Sequence, residues 1–115
     1  MKLPACIFCQ IIKGTSSARI VYENDEVIAF EDVNPQAPVH ILLVPRKHIS
    51  SITELSGEDV KLVGNIYLVA KKIARDKNIE NGFRIVVNSG AKAGQSIYHL
   101  HFHLLGGRKF HWPPG

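Results

Sequence analysis

Cysteine is scarce in this chain. There are two, Cys6 and Cys9, one C-x-x-C pair near the N-terminus. They cannot form a disulfide framework, and in a reducing compartment such a pair reads as metal-binding or redox. Long hydrophobic runs are missing too. The longest apolar run in a predicted helix is Ile66 to Ala70, far short of the roughly 20 residues of a membrane span. Met1-Lys2-Leu3-Pro4-Ala5-Cys6 has a lysine but no apolar segment, so no signal peptide is expected and a cytoplasmic location is. Repeats and low-complexity segments are absent. Net charge is only +4. It mildly favours anionic partners but gives no basic stripe for nucleic acid.

What remains is an ordinary globular composition, 45% hydrophobic and 21% charged over 115 residues. It predicts one domain spanning 1–115, with a core over about 6–107 and a tail over 108–115. Cys6 to Lys13 reads as a short helix with an apolar side (Ile7, Phe8, Ile11, Ile12), closed by Gly14. Ile20–Glu23 and Val27–Phe30 read as a hairpin around Asn24-Asp25. Asp32 to Pro38 is a loop. His40–Val44 lacks alternation, which predicts a central strand covered on both faces. Ser56 and Asp59 have capping-box spacing and open one long helix. Its apolar arc is nearly twice that of a helix packed on one sheet, so Leu62, Ile66, Val69 and Ile73 are expected to meet a second surface, most simply another subunit, the alternative being more of the helix's own domain wrapped around it. Phe83–Val87 is a fourth strand and Asn88–Ser96 a Gly-rich loop. The fold class is α+β: a five-stranded antiparallel sheet in mostly sequential order, one long helix and one short N-terminal helix.

The fifth strand carries the chemistry. His99-Leu100-His101-Phe102-His103-Leu104-Leu105 holds three of the six histidines. In an extended strand the three imidazoles face one way, and Leu100, Phe102 and Leu104 face the core. A solvated strand has no structural need for such a row. Metal binding and phosphoryl transfer both do.

H-x-H-x-H-x-x with apolar x resembles the signature of the histidine-triad (HIT) family. Asn88…Gly94-Gln95-Ser96…His99 and the ending Gly106-Gly107…His111-Trp112-Pro113-Pro114-Gly115 resemble its Hint branch, the nucleoside phosphoramidases. The resemblance covers nearly the whole chain from about Cys6. It implies a homodimer with a sheet continuous across two subunits, acting on purine nucleoside phosphoramidates such as AMP linked to an amine.

It also implies roles. His101 is the nucleophile; a neutral imidazole whose Nδ1–H is held by a backbone carbonyl offers Nε2 to phosphorus. His103 donates to phosphate oxygens. The Ser96 hydroxyl serves the leaving amine. His40 resembles the relay histidine, although its place at the start of a central strand fits a structural histidine equally. Asn88 and the amides after it could hold phosphate or ribose. Asp32 resembles the ribose acceptor, or else caps the Asn34-Pro35 turn. Phe8, Phe30, Val33 and Leu42 resemble the walls of a base pocket, and Trp112 the tail residue that reaches the neighbouring subunit's site. Cys6, Cys9, His48 and His99 would make a structural Cys₂His₂ zinc site, with no metal needed for the chemistry. His99 is thus pulled two ways, toward the histidine row and toward the cysteines; a local twist or bulge could re-aim it.

Other readings share these residues. A dinucleoside polyphosphate hydrolase of the Fhit type or a nucleotidyl transferase uses the same nucleophile. A metallohydrolase would ligate zinc through His99 and His101, with His103 or His40 as the third ligand. A nucleotide-binding scaffold would fill the pocket with little turnover. A nucleic-acid reading has only Arg46, Lys47, Arg108 and Lys109, without interleaved aromatics.

Overall fold

The structure, a computed structural model, describes residues 6–115. Met1–Ala5, read above as carrying no signal segment, lies outside the described residues.

The elements are α1 (Ile7–Lys13), β1 (Ile20–Glu23), β2 (Val27–Glu31), β3 (Val39–Pro45), α2 (Val60–Asp76), β4 (Phe83–Val86) and β5 (Phe102–Gly106). Local chemistry accounts for their ends. Gly14 closes α1 in the left-handed region at φ 81°, where glycine has no Cβ penalty. Asn24 Oδ1 accepts from the amides of Glu26 (2.9 Å) and Val27 (2.8 Å), which fixes the β1–β2 turn. The Ser56–Asp59 capping box forms, around a 3₁₀ turn (Gly57–Asp59) that runs into α2.

The strands form one antiparallel sheet in the order β1-β2-β3-β5-β4. The expected sequential order is therefore corrected at one point. β5 returns between β3 and β4, and so sits beside the central strand instead of at an edge. The nearly continuous apolar sequence of β3 suits a strand with two neighbours and two covered faces.

Alternation divides the side chains between those faces. Val27, Ala29, Ile41, Leu43, Phe102 and Leu104 turn to α2. Ile28, Phe30, Leu42 and Val44 turn to α1 and pack on Phe8 and Ile11. The breadth of the α2 arc has a different cause from the one expected. Leu62, Ile66, Val69 and Ile73, assigned above to a second surface, are all buried against this chain's own sheet, none more than 7% exposed. The apolar residues α2 leaves outside are Val60, Tyr67 and Leu68. After α2 the chain turns through Ile79, which lies over the end of β5. A Cβ on Gly106 would come 2.5 Å from Ile79 Cδ1, so a glycine is needed there.

Candidate active site and metal centre

The face under α1 carries a cleft of about 500 Å³. α1 supplies one wall through Ile7, Phe8 and Ile11. Phe30 and Leu42 form the floor, Asp32, Val33, Asn34 and Gln36 one rim, and Ser96 and Ile97 the other. His40, His101 and His103 open into it. Of the predicted site residues, the cleft gathers Phe8, Phe30, Asp32, Val33, Leu42, His40, Ser96, His101 and His103. Val33 is a fully exposed rim residue. Asn88 follows β4 and does not line the cleft, and Trp112 stands out on the tail, 84% exposed.

Backbone groups set the histidine tautomers. His101 Nδ1 lies 2.7 Å from the carbonyl oxygen of His99. A carbonyl can only accept, so Nδ1 carries the hydrogen and Nε2 keeps its lone pair. A second chain of bonds starts at Gln36. Its amide donates to His40 Nδ1 at 3.0 Å. His40 therefore carries its hydrogen on Nε2, which faces His103 Nδ1 at 2.9 Å and Asp32 Oδ2 at 3.3 Å. His103 accepts through Nδ1 and bears its own hydrogen on Nε2. The outcome is one imidazole with a free lone pair beside another holding an N–H, their ring centroids 5.1 Å apart.

Electrostatics keep His40 and His103 neutral. Burial, then the neighbouring His101 and His40, lower the His103 pKa to about 4. Burial also lowers His40, against the pull of Asp32. Asp32 takes the capping role considered for it, its Oδ1 accepting from the Asn34 amide at 2.8 Å, while its Oδ2 faces His40.

His99 points elsewhere. The regular ladder starts only at Phe102, so the expected strand from His99 onward begins three residues too early. No bulge is needed to separate His99 from the others. Leu100, Phe102 and Leu104 do share the α2 side. Phe8, on the opposite side, touches both His99 and His101, at 6.0 and 5.1 Å between centroids. His99 is set apart by its place before the ladder, where the start of α1 and the loop after β3 converge on it. It is fully buried. Its Nε2 donates to the Pro45 carbonyl at 2.8 Å, which leaves Nδ1 as a lone pair. That Nδ1 lies 3.5 Å from Cys6 Sγ, 3.5 Å from Cys9 Sγ and 3.0 Å from His48 Nδ1. Cys9 Sγ is 3.3 Å from His48 Nδ1.

These four donors suit a metal. All lie within 4.8 Å of one another, and a tetrahedral site with bonds of about 2.0–2.3 Å needs separations of about 3.3–3.8 Å. A carbonyl holding the far ring nitrogen of His99 is the usual support of a histidine ligand. Burial and then Cys6 push the Cys9 thiol up, so its thiolate is favoured only with a cation beside it. Asp32, His40 and His103 also cluster, but the Gln36 amide holds His40 with its hydrogen on Nε2, the atom that would have to ligate. That cluster is a hydrogen-bonded chain running from the Gln36 amide through His40 to His103 and Asp32.

Several working groups lay outside sequence reasoning. The Gln36 amide and the Pro45 and His99 carbonyls are backbone atoms, with no side-chain signature. Gln95, 4% exposed, accepts from the Gly90 amide and donates to the carbonyls of Ser50 (2.7 Å) and Ile97, and so holds the loop that carries Ser96. Its signal was the Gly94-Gln95-Ser96 triplet.

An α+β domain with three histidines at one cleft and a Cys₂His₂ cluster beside it is the class that fold and site define. Comparison with known proteins places it more closely. Residues 5–111 match the family model described as "Scavenger mRNA decapping enzyme C-term binding". An uncharacterised HIT-like protein of Synechocystis is 51% identical over 95% of this chain and 96% of its own length. A HIT family hydrolase from Legionella pneumophila superposes with a TM-score of 0.94 at 44% identity, covering 96% of this chain and all of that one. A zinc-bound histidine triad family protein from Mycobacterium smegmatis superposes with a TM-score of 0.79 at 27% identity, covering 90% of this chain and 76% of that one. The chain belongs to the histidine-triad family.

Proposed function

We propose that this protein is a purine nucleoside phosphoramidase, a hydrolase that cleaves the P–N bond between a nucleoside monophosphate and an amine. The observation that carries the reading is the 2.7 Å bond from His101 Nδ1–H to the His99 carbonyl. It presents Nε2 as a nucleophile in a cleft with an apolar end for a base and Asp32 on the rim for ribose. The hydrolase identity of the Legionella relative supports the same reaction class.

In this reading Nε2 of His101 attacks the α-phosphorus. The Nε2–P bond forms and the P–N bond breaks. The amine leaves with a proton from solvent passed through the exposed Ser96 hydroxyl. The nucleotidyl-imidazolium keeps its Nδ1–H on the His99 carbonyl, which offsets the new positive charge. His103 Nε2–H donates to a phosphate oxygen as charge builds there. Its neutrality costs nothing here, since a neutral N–H is still a donor. Water then attacks phosphorus, loses a proton, releases the nucleotide and returns the lone pair to Nε2.

The Cys6, Cys9, His48 and His99 donors would hold zinc, which when bound supplies a structural tie between α1 and the sheet and takes no part in bond breaking. The zinc-bound Mycobacterium relative supports that identity. A homodimer belongs to the same reading: β4 ends the sheet, and α2 leaves Val60, Tyr67 and Leu68 outside. So does a cytoplasmic location, where a C-x-x-C pair stays reduced and able to take a metal.

The test is a comparison of kcat/KM for an AMP-amine phosphoramidate and for a diadenosine polyphosphate. The phosphoramidate is expected to be the better substrate by about tenfold or more. A preference for the polyphosphate would assign the protein to the other hydrolase class.

A further inference from the structure

The metal centre and the cleft share three pieces of chain. The first is α1. Cys6 is its N-cap and Cys9 lies in its first turn, while Ile7, Phe8 and Ile11 of the same helix wall the cleft. The second is His99. Its ring faces the cysteines, and its carbonyl holds His101 Nδ1–H. The third is the loop after β3. His48 belongs to the centre, the next carbonyl, Ile49, accepts from the Leu100 amide at 2.6 Å, and the Ser50 carbonyl accepts from Gln95, which holds the Ser96 loop. Wall, nucleophile and leaving-group loop therefore each run back to one of the four donors.

We infer that Cys6, Cys9, His48 and His99 are positioning residues for the cleft: a metal ion on them and a nucleotide beside His101 strengthen each other's binding. The inference rests on the nucleotide reading above for the cleft's occupant. Its physical basis is the shortness of α1. Seven residues form a helix that is marginal alone. Phe8 and Ile11 are its buried anchors on the sheet. Without the ion, nucleotide binding must itself order α1 and the His99–His101 segment. With the ion in place, that ordering cost is already met, so affinity rises. Linkage requires the effect to be mutual and equal in size. A metal that only props up a distant part of the fold carries no such requirement.

The experiment uses the zinc-loaded protein and AMP as the probe. Zinc per chain is first fixed by elemental analysis and AMP binding by calorimetric titration. Zinc loss into excess chelator is then followed with and without saturating AMP, at a temperature where AMP does not change the folded fraction. Zinc loss is expected to slow severalfold with AMP, because AMP holds the helix that carries Cys9, and the AMP Kd is expected to rise by about tenfold in stripped protein that keeps its far-ultraviolet dichroism, the factor that linkage also requires of the zinc Kd. A zinc loss rate indifferent to bound AMP overturns the inference. If stripping unfolds the chain, the loss-rate comparison on the loaded protein decides alone. Protein that binds zinc but not AMP fails the nucleotide reading, and protein that binds AMP but not zinc fails the metal premise; each result is recognisable from the two preliminary measurements and also overturns the inference.

Discussion

At the scale of single residues, the site works by assigning hydrogens. Three imidazoles at one cleft could hold several proton arrangements. Two backbone contacts select one: the His99 carbonyl leaves the lone pair of His101 on Nε2, and the Gln36 amide, by way of His40, leaves an N–H on Nε2 of His103. Burial then keeps His40 and His103 from taking a second proton. This has a consequence for stability. A histidine of ordinary pKa 6.5 in the unfolded chain, lowered to about 4 in the folded one, binds more protons unfolded than folded between those values. Stability therefore falls as pH drops from 6.5 toward about 4. The urea midpoint is expected to be lower at pH 5 than at pH 7, with His103→Gln flattening part of that slope; a midpoint indifferent to pH over this range would contradict the neutral pair. The histidines themselves were legible in the sequence, because period-two spacing on an apolar strand is a strong pattern. Their tautomers were not. Those depend on which carbonyl or amide the fold brings to each ring nitrogen, and every residue has both groups.

At the scale of elements, α2 shows where pattern reading overreaches. The wheel gave the correct helix, its cap and its buried side. It then counted too wide an arc and assigned the excess to a partner. A helix lying across a twisted sheet is wrapped on its flanks as well as beneath, so Leu62 and Ile73 are interior without any second subunit. Ile66→Ala, at a position 1% exposed, is expected to cost about 2–5 kcal/mol. Leu68→Ala, at a position 67% exposed, is expected to change the stability of the isolated chain by no more than about 0.5 kcal/mol. Urea unfolding of the two variants at low protein concentration checks both, and similar losses would restore the broader apolar face. α1 was read nearly to its ends, since Gly14 and the Cys6 start are local signals. Its placement against the His101 face was not, because that is fixed by Phe8 and Ile11 meeting β2 and β3, contacts distant in sequence.

At the scale of the whole molecule, the sheet order is what brings the chemistry together. Had β5 followed β4 at an edge, His103 would have lain away from His40. Insertion between β3 and β4 sets Leu42 opposite His103 and puts His40 within hydrogen-bond reach of it. Spacing along the chain predicts strands but not this return, which is decided by burying Phe102 and Leu104 at the sheet's centre. The same order leaves β4 at an edge, and the proposed dimer is expected to show in sedimentation as twice the 12.8 kDa chain mass; a concentration-independent monomer would contradict it. The central claim, however, is a covalent one. It is tested most directly by acid-free rapid quench of the protein with an AMP-amine phosphoramidate, followed by mass analysis of the peptides. The account predicts a transient nucleotidyl adduct on His101, formed and lost at rates that match turnover. Turnover with no adduct, or an adduct on another residue, would contradict it.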